Sequence, residues 1–202
     1  MTLRRAIMLS TIALFLASCG SSPKTHYFAL SPVPEANHHS APVATPVTVA
    51  AVHLPPALDR KEMVRATGAN TVDVSDQDRW AAPLGEMSRR VLSEDLAARL
   101  PKDKVIVPDS PAPPHTGQIV VAIAQFGPDG KGKVTLEGSW SLLDRGNLVL
   151  RRDVALAIDS PAPGGDVEAA AMSRLLGQLA SGIAGTLAET DARRAERGNQ
   201  RK

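Results

Sequence analysis

The chain has 202 residues, with 23 Lys and Arg against 21 Asp and Glu, 43% hydrophobic and 22% charged. That composition excludes whole-chain disorder and collagen-like repeats, and the near balance of charge gives no steering toward nucleic acid. Three Phe, two Trp and one Tyr are too few for a base-stacking surface, and one cysteine excludes a disulfide framework and a multi-cysteine zinc site.

The N-terminus decides the compartment. Arg4 and Arg5 precede an apolar run over 6–16, broken only by Ser10 and Thr11. The run is far shorter than the roughly 20 residues a membrane-spanning helix needs, and has the length of a signal-peptide apolar region. Leu16-Ala17-Ser18-Cys19 follows, which is the lipobox pattern of bacterial lipoproteins. Small side chains fit a narrow protease groove, and a thiolate is the nucleophile available for attaching lipid. The pattern predicts a signal peptide over 1–18, cleavage between Ser18 and Cys19, and a diacylglycerol plus an N-acyl chain on Cys19. Several acyl chains anchor stably where a single chain is marginal. Losing Arg4 and Arg5 leaves a mature chain of zero formal charge. Gly20, where Asp would signal retention in the inner membrane, favours the outer membrane.

Residues 20–25 are a polar leader, and 26–30 read as a short strand. Pro32, Pro34, Pro42 and Pro46 mark 31–46 as a linker, because proline removes a backbone donor and favours extended chain. Extended at about 3.1 Å per residue, 20–46 would reach roughly 80 Å, and less if 27–30 joins a sheet. Residues 47–54 read as a buried strand stopped by Pro55-Pro56, with a helical turn near 58–61. Short strands at 63–67 and 71–74 flank Gly68-Ala69-Asn70, a hairpin turn.

The spacing of Leu84, Met87, Val91, Leu92, Leu96 and Leu100 predicts a helix over 83–100. Glu86, Arg89, Arg90, Glu94, Asp95 and Arg99 fall on its remaining surface, and Pro101 ends it. A short strand at 104–107 and a proline-rich loop at 108–117 follow. Strands at 118–126, 133–143 and 148–158, joined by tight turns, make an antiparallel meander; 133–143 alternates apolar and polar residues. A second helix runs from Asp166, placed to cap it, to about Glu189, with Met172, Leu175, Leu176, Leu179, Ile183 and Leu187 as its stripe. Gly177, Gly182 and Gly185 weaken it alone and suggest close packing. Residues 191–202 read as a charged, flexible tail. The fold class is α+β: a single domain with an antiparallel sheet, a meander plus short strands, and two amphipathic helices packed on it.

Nothing in this order marks an enzyme. No HExxH or GxSxG accompanies His26, His38, His39, His53 or His115. The Gly-rich stretch 127–133 lacks the phosphate-loop spacing and a following helix. Asp59, Glu62, Asp76 and Asp78 read as surface turns and salt links. Trp80, just before a helix start, reads as a core anchor.

Val52-His53-Leu54-Pro55-Pro56 closes a strand, followed by Leu58-Asp59-Arg60, Met63-Val64-Arg65 and Asn70. Arg79-Trp80-Ala81-Ala82-Pro83-Leu84 then leads into a helix ending Asp95-Leu96-Ala97-Ala98-Arg99-Leu100. Tyr27-Phe28-Ala29-Leu30 lies soon after Cys19. In this order and spacing, from Cys19 to about residue 188, the chain resembles the PqiC/YmbA-like ABC-type transport auxiliary lipoproteins. It departs from them in lacking an aromatic residue at Ala57 or Leu58 and in its long segment between Leu30 and Val47.

The resemblance implies a non-catalytic lipoprotein, anchored in the outer membrane and facing the periplasm, with no metal and no cofactor beyond its covalent lipid. Its implied partners are an MCE-domain protein and inner-membrane ABC transporter components that together move lipid. Ring-like homo-oligomerisation fits that role, and no nucleic acid is involved. Leu54, Pro55, Asp59, Arg60, Arg65 and Trp80 carry the motif, as partner-binding or structural residues. The resulting organisation is a signal peptide over 1–18, a lipidated leader and linker over 19–46, the auxiliary lipoprotein domain over 47–190, and the tail. The alternative is an outer-membrane assembly lipoprotein that plugs or chaperones a β-barrel.

Overall fold

The computed structural model describes residues 24–33, 43–68, 70–160 and 164–199. Three long segments rich in β-branched residues form the meander: β6 (Gly117–Pro128), β7 (Lys133–Asp144) and β8 (Asn147–Asp159). Along β7, Val134, Leu136, Trp140 and Leu142 are buried on one face, while Glu137 on the other is exposed. The period of two in the sequence thus becomes one packed face and one wet face. The hairpin of β3 (Glu62–Gly68) and β4 (Thr71–Trp80) pairs Gly68 with Thr71 at its closed end.

The remaining strands pair differently from a simple meander. β1 (His26–Phe28) runs parallel to the end of β4, His26 opposite Asp78 and Phe28 opposite Trp80. β2 (Val47–His53) runs parallel both to β5 (Val105–Ile106) and to β6. The result is two mixed sheets, β1-β4-β3 and β5-β2-β6-β7-β8, where the sequence predicts one antiparallel sheet. The reason is the connections. The β3–β4 hairpin and a helix intervene before the chain returns beside β2, and such crossovers produce parallel pairs.

Both helices cover one face of the five-stranded sheet. α1 (Leu84–Arg99) packs on β2, α2 (Gly165–Asn199) packs on β6, β7 and β8, and they pack on each other. Val91, Leu92 and Leu96 meet Leu175, Leu176, Leu179 and Ile183 over Val49, Ile119, Val121 and Leu136 in one continuous core. No described helix is long and apolar enough to cross a membrane.

Three further differences have physical causes. α2 continues to Asn199 instead of ending near Glu189, because Ala192 and Ala195 favour helix and Arg193–Glu189 (3.2 Å) and Arg194–Asp191 (3.6 Å) lie at helical spacing. β4 extends to Trp80 instead of stopping near Val74, since pairing with β1 and β3 overrides the weak strand propensity of Asp76 and Asp78. The folded body begins at His26 and not at Val47. Leu30, at the end of the expected short strand, and Val43, within the expected linker, are 1% and 4% exposed.

Candidate functional site

The chain after β1 forms a strap across the two helices. Leu30 is buried, the Ser31 N–H donates to Ser173 Oγ (3.1 Å), and the Val33 N–H donates to Asp95 Oδ1 (2.8 Å). Arg99 Nη2 reaches the Val33 carbonyl (3.4 Å), and Arg99 Nε donates to Ser181 Oγ (2.9 Å) on α2. Gly177 makes room for this: a Cβ there would sit 3.2 Å from Val33 Cβ. Gly182 and Gly185 have open space at the same test, so close packing explains only the first of the three glycines. After the undescribed 34–42, the Ala44 N–H donates to Asp191 Oδ2 (2.7 Å) near the far end of α2.

Asp95 and Arg99 are therefore not surface residues of α1 but buried ones. Burial pushes the Asp95 carboxyl up from its ordinary value, with the Val33 N–H and Arg99 opposing that shift.

A second polar cluster ties the small sheet to α2. Arg65 Nε donates to both carboxylate oxygens of Glu168 (2.8 Å each), and Nη2 donates to Asp78 Oδ2 (2.7 Å). His26 Nδ1 lies 3.5 Å from Asp78 Oδ1, bringing β1 into the same group. The Arg65 hydrogen bond holds the Asp78 carboxyl below its ordinary value against the opposing effect of desolvation. Its contribution to stability is present above the usual carboxylate range and is lost as pH falls through its lowered folded-state value. Asp78→Asn is expected to flatten the acid limb of stability, read as denaturant midpoints from neutral pH down past about 4. Parallel acid limbs for the two proteins would refute it.

The six motif residues separate. Arg65 joins the ionic cluster, Trp80 is buried in the core, and Leu54 packs against the core. Pro55 accepts from the N–H groups of Leu58 (2.9 Å) and Asp59 (3.1 Å), forming a turn instead of a regular helix. Asp59 is exposed, and Arg60 pairs locally, with Glu62 (2.9 Å). Cys19, the Ser18–Cys19 cleavage site, His38 and His39 lie outside the described residues. His53 and His115 are exposed and far apart in the fold, at the end of β2 and in the loop before β6.

Pro55 also lines an open groove between the two sheets, of about 690 Å³. β2 pairs with β6 only as far as Ala122, so β3 passes beside the rest of β6 edge-on. The sheets touch at the β6–β7 turn, where a Cβ on Gly130 (φ +72°) would sit 2.6 Å from the Ala66 carbonyl oxygen. The apolar floor includes Leu58, Val64, Ala66, Val72, Ala124 and Phe126; Lys131 stands at the turn end. Leu58 and Val64 lie in the blocks that carry the resemblance, but Ala66, Val72, Ala124 and Phe126 carry no sequence motif. Their grouping depends on where β2 stops.

The family model for the ABC-type transport auxiliary lipoprotein component matches residues 28–184. The chain belongs to this family. The match opens at Phe28, the last residue of β1, so the strap is part of the family's domain. Among curated relatives, the intermembrane transport lipoprotein PqiC of Escherichia coli (strain K12) is 26% identical over 146 residues, 71% of this chain and 77% of the relative. PqiC of Shigella flexneri matches to the same extent. Two crystal structures share the fold. One, of an uncharacterized protein, has a TM-score of 0.65 and 21% identity, covering 83% of this chain and 99% of that one. The other, protein XCC0632 from Xanthomonas campestris, has a TM-score of 0.67 and 17% identity, covering 85% and 99%.

Proposed function

We propose that the protein is a non-catalytic accessory lipoprotein of an intermembrane lipid transport system. Acyl chains on Cys19 hold it in the outer membrane, facing the periplasm, and it docks an MCE-domain protein served by an inner-membrane ABC transporter. The family membership and the PqiC relatives support the transport role. The observation that carries the docking geometry is β1. Only 20–25 separate Cys19 from that strand, a reach of about 20 Å at roughly 3.3 Å per residue, where a free linker to Pro46 would reach roughly 80 Å.

The strand also sets direction. From Phe28 beside Gly165, the strap runs past Ser173 to Val33 beside Gly177, so it follows α2 away from its N-terminal end. Traced backward from His26, the chain leads out past that end. The tether therefore holds the β3–β4 and β6–β7 turns at the membrane. The far end of α2, a helix of 35 residues or about 52 Å, points into the periplasm. The β7–β8 turn lies at that far end, where Leu148 is 63% exposed. This exposed apolar side chain marks the docking surface of this reading.

The test is affinity purification of the full-length lipoprotein from gently solubilised envelopes, followed by mass spectrometry. The expected result is recovery of an MCE-domain protein and its permease, with strong loss in Leu148→Asp and in Cys19→Ala. Recovery of a β-barrel alone, or of no partner from intact protein, would overturn the reading.

A further inference from the structure

The groove between β3 and the β6–β7 hairpin is at the end of the domain that the tether holds down. The size suits a small-molecule ligand, since such sites run from about 300 to 1,000 Å³ and are mostly apolar. Its lining has the polarity of one half of an amphiphile. An apolar trough of Leu58, Val64, Ala66, Val72 and Ala124 ends at the exposed ammonium of Lys131 on the membrane-side turn. Thr67, Gln125, Thr135 and Glu137 form its polar wall, and the Asp129 carboxylate shares the turn with Lys131. Val72, at the outer lip, is 59% exposed, an apolar cost in water that a bilayer or an acyl chain would remove.

We infer that this groove takes one acyl chain of a bilayer phospholipid, with the headgroup at the turn that carries Lys131 and Asp129. The occupant follows from the tether. Residues 20–25 allow at most about 20 Å between lipidated Cys19 and β1, so in the anchored orientation the groove mouth is within reach of the headgroup layer, where phospholipid is the concentrated amphiphile. The inference rests on the anchored orientation proposed above. It adds a lipid contact within the accessory protein itself, separate from the partner surface at the far end.

The experiment uses the full-length, lipidated protein in vesicles of phosphatidylethanolamine and phosphatidylglycerol. A phosphatidylethanolamine with a photoactivatable group in its acyl chain is the probe, and adducts are mapped by mass spectrometry. Adducts are expected on peptides spanning 55–72 and 124–137. Ala124→Trp fills the groove from an exposed position and should lower them about tenfold, the equilibrium effect of excluding a pair of methylenes. Val72→Glu, at the lip, should lower them too without entering the core. Adducts spread evenly over the surface, or unchanged in both variants, overturn the inference. So do groove adducts that form only when Cys19 is replaced and unlipidated, since the protein's own anchor is then the occupant. Partner recovery from the same preparations separates the two readings. A recovered MCE-domain partner without groove adducts sinks only the lipid site, and groove adducts without any partner sink only the transport assembly.

Discussion

Arg65→Ala is expected to destabilise the protein by about 3 kcal/mol and to free the three-stranded sheet before the rest unfolds. The side chain of Glu168 is 4% exposed and takes both of its oxygen contacts from Arg65 Nε. Removing the guanidinium leaves a buried carboxylate facing Asp78 without the cation between them. Arg65 itself is 19% exposed, so solvent screens part of the loss and places it at the low end of the range for broken buried pairs. The location of the damage is the sharper expectation. Apart from this cluster, the small sheet meets the body mainly through β3 against β6 and β1 against α2. Amides of β3 and β4 should lose hydrogen-exchange protection while those of β6 to β8 keep theirs. Arg65→Lys should restore only part of the stability, because a point charge cannot reproduce the fork that spans two carboxylates. Uniform loss of protection across both sheets would refute the mechanism.

Asp95→Ala is expected to cost about 3 to 4 kcal/mol, measured by equilibrium denaturation. The carboxylate sits between the helices, accepts the Val33 N–H at 2.8 Å and lies 3.5 Å from Arg99 Nη1. Its loss leaves the guanidinium buried without this counter-charge and takes away the acceptor of the strap's N–H. The double variant Asp95→Leu with Arg99→Leu should be more stable than either single variant, because well-packed apolar residues remove both desolvation penalties. It should still fall short of the native protein, since Val33 retains an N–H without that acceptor, at about 1 to 3 kcal/mol. Additive single effects in that cycle would show that the two residues do not act together.

Those two residues also show what the sequence can and cannot say. The α1 stripe was readable from Leu84, Val91, Leu92 and Leu96, since each apolar side chain announces its own burial. Asp95 and Arg99 stand three residues after Leu92 and Leu96, on the same face, and that spacing was the available signal. Charge argued the other way, because a carboxylate and a guanidinium go inside only when partnered, and their partners come from Val33 and Ser181. The meander was legible because β6, β7 and β8 are consecutive and joined by turns rich in Gly and Asp. The parallel pairings of β1 and β2 were not, because partner choice across a crossover depends on the whole packed body. The groove was hidden for the same reason: Ala66, Val72 and Ala124 are ordinary strand residues until β2 ends at His53 and β3 takes its place. Proline content misdirected the reading of 31–46, where Pro32 lies in a strap fixed on either side by Leu30 and Val33.

The strap has a consequence for the order of biogenesis. Its hydrogen bond from Ser31 to Ser173 spans 142 positions, and the strand before it pairs with Asp78 to Trp80. Contacts this distant in sequence close late, because the intervening chain must be present and organised first. During synthesis and export the N-terminus emerges first, yet its docking site on α2 is the last element made. On the lipoprotein reading proposed above, cutting and acylation of the terminus would fall within that interval, before the strap docks. Completion of α2 then draws the strap down. Docking of the strap is thereby set late by the topology itself.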